Sequence, residues 1–543
     1  NGCGACQEAC NYNAIAAVPV PGRDKKKVMV FPELCHACGT CSYVCPEDAL
    51  IEEPVSIGEV EADPNDSEFF FGHGTLNVGE PLAPAVVEGV KEHVADNGIT
   101  LIDAAPGTAC PVVEAMNDAD VCILVTEPTP FGLNDLRLAL NMALKMRIPA
   151  GIVVNRSDGE DEIIQGYAED TGVPIIGRIP FRRDFAETYS QGNLLVDDFP
   201  ELQTQLMAIY ESAGNLIGTE PPAVPEEQLL AGATPTDTSQ PPDGGGGNYQ
   251  ECTVISGKGG TGKTTVTGAL AALADDHVMA DCDVDAADLH LLLKPDTHEV
   301  REFYGGLEAT IRPQDCIGCG QCAELCHFDA IKVTKRDEND DPQTYQVDNL
   351  ECEGCGLCGY VCPVDAIDVK KSRTGQSYVS DMKYGVMSHA RLGIAEENTG
   401  KLVTRVRDRA SDLAVQNTCS TILGDGSPGM GCPVIASISG VDIALVVTEP
   451  TVSGVHDMER VLELCQHFSV QSLVCINKCD LNPEQANRIR SMAEDFGGRV
   501  ICEIPFDPQV NAALAEGQNL IEYGQGPAAE AVRKIWTELK KEL

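Results

Sequence analysis

The sequence predicts an α/β chain: a doubly wound, mostly parallel sheet interrupted by a small cysteine-rich α+β module, the whole arrangement fused in tandem. Three observations predict it. Short continuously apolar runs at 121–126, 150–155, 443–448 and 472–477 alternate with helical stretches, as strands buried on both faces of a parallel sheet do. A phosphate-loop pattern joins the strand Cys252-Thr-Val-Ile255 to an alanine-rich helix at 263–274. Four closely spaced cysteine runs fall in two pairs, one near the start and one in the middle.

The central pair reads Cys316-Ile-Gly-Cys319-Gly-Gln-Cys322-Ala-Glu-Leu-Cys326 and Cys352-Glu-Gly-Cys355-Gly-Leu-Cys358-Gly-Tyr-Val-Cys362-Pro363. C-x2-C-x2-C-x3-C written twice is the spacing of a bacterial two-cluster ferredoxin, in which the fourth cysteine of each run crosses to the other cluster. On that logic Cys316, Cys319, Cys322 and Cys362 hold one [4Fe-4S] cluster, and Cys352, Cys355, Cys358 and Cys326 the other. Zinc is the alternative that repeated C-x2-C pairs allow; eight cysteines in this interleaved register favour clusters.

The array recurs at the start. Cys3, Cys6 and Cys10 match Cys319, Cys322 and Cys326, and Cys35, Cys38, Cys41 and Cys45 match the second run. The counterpart of Cys316 would fall just before Asn1, so the chain is expected to begin mid-motif; degeneration to a [3Fe-4S] or empty site is the alternative. His36 and His327 flank cluster cysteines and are expected to tune packing or potential rather than bind metal.

Longer repeats organise the rest. Asp103-Ala-Ala-Pro106-Gly107-Thr-Ala-Cys110-Pro111 is echoed by Asp425-Gly-Ser-Pro428-Gly429-Met-Gly-Cys432-Pro433, and Thr126-Glu127-Pro128-Thr129 by Thr448-Glu449-Pro450-Thr451. Asn155 pairs with Asn477, and Pro180-Phe181 with Pro505-Phe506. The expected organisation is a first insert at 1–53, the rest of the first sheet domain at 54–216 and a flexible Pro/Gly/Thr-rich linker at 217–248. The front of the second sheet domain follows at 249–310, its insert at 311–371 and its remainder at 372–543.

Composition narrows the function. A formal net charge of -46 argues against nucleic acid as a partner, and acidity suits steering of basic redox partners. The four runs take fifteen of the 25 cysteines. Cluster spacing, with no signal peptide or long apolar span, points to a reducing cytoplasm. The amphipathic C-terminal stretch 532–543 has a counterpart at 201–212, which favours packing over membrane attachment.

In the phosphate loop Gly257-Lys258-Gly259-Gly260-Thr261-Gly262-Lys263-Thr264-Thr265, backbone amides would cradle phosphates, Lys263 would contact the β and γ groups, and Thr264 would ligate Mg2+. This loop resembles the deviant phosphate loop of the MinD, ParA and nitrogenase iron-protein class of ATPases, and the inserts narrow the resemblance to members carrying a ferredoxin domain. The resemblance implies ATP as ligand and Lys258 as the extra lysine that reaches a nucleotide across a dimer. It gives Asp283 the role of binding Mg2+ and orienting water, with Asp281 and Asp285 beside it. It makes Asp425 the γ-phosphate sensor and places Asn477 and Pro505 at the base. Asn477-Lys478-Cys479-Asp480 also fits the guanine-specific N-K-x-D pattern, leaving GTP as an alternative. No phosphate loop occurs in the first copy.

Tandem fusion of a domain that, in the class it resembles, pairs with itself implies that the two copies face each other as an internal pseudo-dimer, with an intermolecular sandwich between two chains as the competing arrangement. Cys110 and Cys432 could then ligate a bridging cluster, as switch-region cysteines of the nitrogenase iron protein do. The expected function is ATP-gated electron transfer between redox partner proteins. A cluster or metallocofactor assembly carrier is the first alternative, and a scaffold or partitioning ATPase with structural clusters the second.

Overall fold

A computed structural model describes residues 2–20, 26–63, 70–80, 82–94, 98–159, 161–223, 249–337, 340, 342–393 and 399–543. Most of the expected linker, 224–248, lies outside the described residues. The chain forms two compact units. One combines Asn1–Thr100, Glu302–Gly375 and Ala395–Asn398; the other combines Leu101–Arg301, Gln376–Ile394 and Thr399–Leu543.

The second unit is built on a nine-stranded sheet. Its strands run, in spatial order, Asp296–Phe303, Gly375–Met382, Gly385–Leu392, His277–Asp281, Thr421–Pro428, Gln250–Ser256, Ile443–Thr448, Gln471–Asn477 and Arg499–Ile504. From Gly385–Leu392 to Arg499–Ile504 every neighbouring pair is parallel. Parallel strands covered by helices must be apolar on both faces, and Ile443–Thr448 is buried at all six positions. The second insert is spliced into the chain between the two strands at one edge, Asp296–Phe303 and Gly375–Met382.

The C-terminal helix Pro527–Leu539 buries Ala528, Ala529, Val532, Ile535, Trp536 and Leu539 in the core of this sheet. Its apolar stripe is spent on packing, as the sequence comparison with 201–212 suggests. Among the described residues no helix is long and apolar enough to cross a membrane.

The first half contributes a three-stranded parallel sheet, Cys122–Thr126, Ala150–Ser157 and Ile175–Pro180. Here one expectation is corrected. Cys122–Thr126 is not buried on both faces: Ile123 is 39% and Val125 63% exposed. It pairs with Ala150–Ser157 on one side, whereas its counterpart Ile443–Thr448 lies between Gln250–Ser256 and Gln471–Asn477. The halves meet at one equivalent pair of aromatic rings and at two non-equivalent polar contacts. The Phe181 and Phe506 rings lie 6.1 Å apart, Arg183 pairs with Asp480 at 2.9 Å, and Asn482 donates to the Ser190 carbonyl at 3.2 Å.

The cysteine modules occupy the other unit. In the second, antiparallel pairs Gly306–Ile311 with Ile367–Ser372 and Ile331–Arg336 with Pro342–Val347 support two short helices, Gln321–Glu324 and Leu357–Val361. The module therefore begins a strand earlier than the expected boundary at 311. The first module repeats the plan with Ile15–Pro19 paired to Lys26–Val30 and helices Ala5–Ala9 and Thr40–Tyr43. The hairpin Gly58–Asp63 and Phe71–Leu76, with helix Ala83–Lys91, falls in this unit too. The compact units thus divide the expected 54–216 segment at about residue 100.

Candidate nucleotide and cluster sites

The strand Gln250–Ser256 delivers the chain into the phosphate loop, which turns into helix Lys263–Ala271. Gly262 caps that helix in the left-handed region at φ 93°, and a Cβ there would stand 2.5 Å from Asn477 Nδ2, so only glycine fits. At Gly257 a Cβ would meet Asp457 at 2.6 Å. Asn477 also ties the loop directly, its Nδ2 donating to the Thr261 carbonyl at 2.7 Å.

Lys263 is 6% exposed. Its Nζ lies 3.0 Å from Asp425 Oδ1 and 3.2 Å from Asp283 Oδ2. Burial alone would depress the ammonium pKa, but the charges of Asp425 and Asp283 outweigh it and hold the lysine well above its ordinary value. Asp425 also accepts from Thr264 Oγ1 at 2.8 Å and Thr267 Oγ1 at 2.9 Å. The structure thus brings together Lys263, Thr264, Asp283 and Asp425.

Burial, followed by the charges of Asp425 and Asp283, pushes Asp281 far above the carboxylate range. Burial likewise raises Asp283 to about 6 and Asp285 to about 7. Asp281 Oδ2, Asp285 Oδ1 and Thr261 Oγ1 are buried without a hydrogen-bond partner. Crowded carboxylates with orphaned oxygens beside a glycine loop are what a divalent cation and a phosphate chain would satisfy. Mg2+ and a nucleoside triphosphate therefore fit these residues.

Lys258 is held by its own half. Its Nζ lies 3.0 Å from Glu449 Oε1 and donates to Ser453 Oγ at 2.9 Å. Lys478 shares Glu449 at 3.0 Å. Glu449 resists the upward push of burial because both lysines hold its charge, and its pKa is lowered. Sequence reasoning gave Glu449 no role, although its place in the repeated Thr-Glu-Pro-Thr was the available signal.

The first half lines the rim. Asn134 donates to Asp288 Oδ1 at 2.9 Å. Asp135 remains reachable by solvent yet is hemmed in by protein; that desolvation, then the charge of Asp283, lifts it to about 7. Pro106 lies 3.8 Å from where a Cβ on Gly259 would stand. Cys110 and Cys432 each open an equivalent helix, Cys110–Met116 and Cys432–Ile438. Asp480 accepts from the Phe506 amide at 2.6 Å and pairs with Arg183. Pro505 sits in the loop between Arg499–Ile504 and Pro508–Ala515.

The cysteine modules carry the second chemistry. One cavity is lined by Cys316, Cys319, Cys322 and Cys362, with Ile317 and Tyr345 among its walls, the grouping that a crossing fourth cysteine requires. Cys358 stands within electrostatic reach of Cys352 and Cys326, and Cys41 of Cys38 and Cys35. Thiols spread around a void suit a cubane with one thiolate per corner better than a single tetrahedral zinc. The left-handed residues Gly320 and Gly356 start the helices that aim Cys322 and Cys358 inward.

The 4Fe-4S dicluster domain family matches residues 1–49 and 315–366. An uncharacterised protein of Methanocaldococcus jannaschii is 31% identical over 300 residues, covering 54% of this chain and 98% of that protein. Cytosolic Fe-S cluster assembly factor NBP35 of Eremothecium gossypii is 24% identical over 115 residues, 19% of this chain and 34% of its own. Among solved structures, the MinD cell division protein of Aquifex aeolicus is 18% identical, with a TM-score of 0.32, covering 54% of this chain and 98% of that one.

Proposed function

This chain belongs to the family of that Methanocaldococcus jannaschii protein, and from this premise we propose that it is an ATP-dependent iron–sulfur electron-transfer protein. ATP binding and hydrolysis at the phosphate loop gate [4Fe-4S] clusters held in the two inserts. One observation carries this most: Lys263, Thr264, Asp283 and Asp425 gather on the same sheet into which the second insert is spliced, between Asp296–Phe303 and Gly375–Met382.

The residues imply an order of events. Lys263 exchanges Asp283 and Asp425 for phosphate oxygens as ATP arrives. Thr264, released from Asp425, would hold Mg2+, which would supply charge neutralisation at the phosphates. Asp425, left with Thr267 as its remaining partner, passes the change to the end of Thr421–Pro428 and on to the helix opened by Cys432. Asp283 orients the attacking water. The two halves act as an internal pseudo-dimer, supported by the Phe181–Phe506 and Arg183–Asp480 contacts. Redox proteins are the donor and acceptor.

An anaerobic redox titration of the holoprotein followed by EPR, with and without MgATP, tests this. Allosteric coupling of about 1–3 kcal/mol corresponds to roughly 40–130 mV for one electron, and a shift of that order is expected. Identical titrations would reject gating of potential. A cluster-carrier role is favoured by the similarity to an assembly factor over 115 residues. It predicts nucleotide-dependent release of cluster iron and sulfide to an apo-acceptor.

A further inference from the structure

The two cysteine inserts touch through equivalent positions. Aligned on their cysteines, Cys35-His36-Ala-Cys38-Gly39 corresponds to Cys352-Glu353-Gly-Cys355-Gly356, and Asn11 after Cys10 corresponds to His327 after Cys326. His36 Nδ1 lies 3.3 Å from Glu353 Oε2, with side chains 24% and 13% exposed. Cys38 and Cys355 stand within side-chain reach of each other.

The flanking contacts are reciprocal. Asn11 Nδ2 donates to the Cys355 carbonyl at 2.9 Å and stands 3.4 Å from where a Cβ on Gly356 would be. From the other side, a Cβ on Gly39 would stand 3.2 Å from His327 Nε2. Residue i meets j while the counterpart of i meets the counterpart of j, which is the signature of a two-fold, isologous interface. Tyr12 completes it, stacking on His36 at 3.9 Å and donating to the Glu353 carbonyl at 2.7 Å.

We propose that the two inserts form a pseudo-two-fold pair whose axis passes between Cys38 and Cys355, and that His36 and Glu353 have diverged at one motif position to lock that pairing. The cysteines then dictate an order. Cys35, Cys38, Cys41 and Cys10 surround one inner site and Cys352, Cys355, Cys358 and Cys326 the other, the two sharing a wall. The site of Cys316, Cys319, Cys322 and Cys362 lies outermost on one side, and that of Cys3, Cys6 and Cys45 on the opposite side. The same residue type on both sides of the axis would oppose like charges in the case of glutamate; histidine against glutamate removes that conflict and selects the intramolecular partner. This pairing rests on cluster occupancy of both inserts and not on gating by ATP, so either can fail alone.

The test uses the full chain, reconstituted anaerobically and reduced with dithionite, with iron per chain and the EPR interaction spectrum as readouts. His36→Glu sets two carboxylates at the axis, and the double variant His36→Glu/Glu353→His restores the pair in reverse. The parent and the double variant are expected to share one interaction-broadened spectrum. His36→Glu should lose the part of the broadening that arises between inserts. Unchanged broadening in His36→Glu at full iron content would overturn the pairing. Loss of iron in His36→Glu that the double variant does not restore would also overturn it, since the contact would then serve cluster retention alone. Loss that the double variant restores, together with broadening, supports it.

Discussion

Lys258 Nζ lies 3.0 Å from Glu449 Oε1, so the second lysine of the phosphate loop is anchored by a carboxylate of its own half. The equivalent carboxylate of the first half, Glu127, instead pairs with Arg156 at 2.9 Å, and both of those side chains are more than a third exposed.

The same motif position should therefore carry different weight in the two halves. Glu449→Gln leaves two lysines facing a neutral amide in a mostly buried setting, and is expected to lower stability by about 2 kcal/mol. Glu127→Gln breaks an exposed pair and should cost under about 0.5 kcal/mol. Urea unfolding of the nucleotide-free holoprotein separates them; equal effects would contradict the burial difference.

Asp480 completes an N-K-x-D pattern, yet its two oxygens are engaged by the Phe506 amide and Arg183. A carboxylate so occupied is not offered to a guanine. Asp480→Asn should leave the ratio of ATP to GTP affinity unchanged, measured by displacement of a fluorescent adenine nucleotide. A selective loss of GTP binding of about tenfold or more, the scale at which a dedicated polar contact discriminates, would return the site to guanine.

The parts of the molecule legible in the sequence are those written in local spacing. Gly262 and Lys263 announce the loop because a left-handed cap and a phosphate-facing lysine need those residues in that order. The grouping of Cys362 with Cys316 around one cavity follows the motif spacing. Arg183 and Asp288 gain their roles from partners far away in the chain, so no local pattern marks them, and the repeated Thr-Glu-Pro-Thr marks Glu449 without naming its partners. Strand 122–126 misleads for the same reason: Ile123 and Val125 look like core, but burial depends on a neighbouring strand. His36 and Glu353 were visible as differences within a repeated motif, and their meaning required knowing that the two positions face each other.

His277 provides a pH handle away from the nucleotide. It is 3% exposed, and burial, only partly offset by the charge of Asp276 and the Ala274 backbone, depresses it to about 4. An unfolded histidine titrates near 6.5, so between about pH 6.5 and 4 the unfolded chain holds a proton that the folded chain refuses. Stability from this group is complete above pH 6.5 and is lost as pH falls through that window, by about 2 kcal/mol between pH 7.5 and 5. Asp285, raised to about 7, works in the opposite sense, so the readout is a difference. His277→Phe should be more acid-resistant than the parent by that amount, and parallel pH profiles would refute the assignment.

Cluster assignments can be tested by pairing cysteines that are distant in sequence. Cys322 and Cys362 line one cavity, whereas Cys326 and Cys352 act on Cys358 more strongly than Cys322 does. Cys322→Ser and Cys362→Ser should therefore remove the same EPR signal and one cluster's iron each, and the double variant no more than either alone. Non-additivity of that kind marks groups acting as one unit. Cys326→Ser should remove a different signal and add fully to Cys362→Ser. Serine occasionally substitutes as a ligand, so the midpoint potential of the affected cluster is the second readout, and Cys322→Ser and Cys362→Ser must displace the same one. If Cys322→Ser and Cys326→Ser instead behave as a pair, each run holds its own cluster and the crossing of the fourth cysteine is wrong.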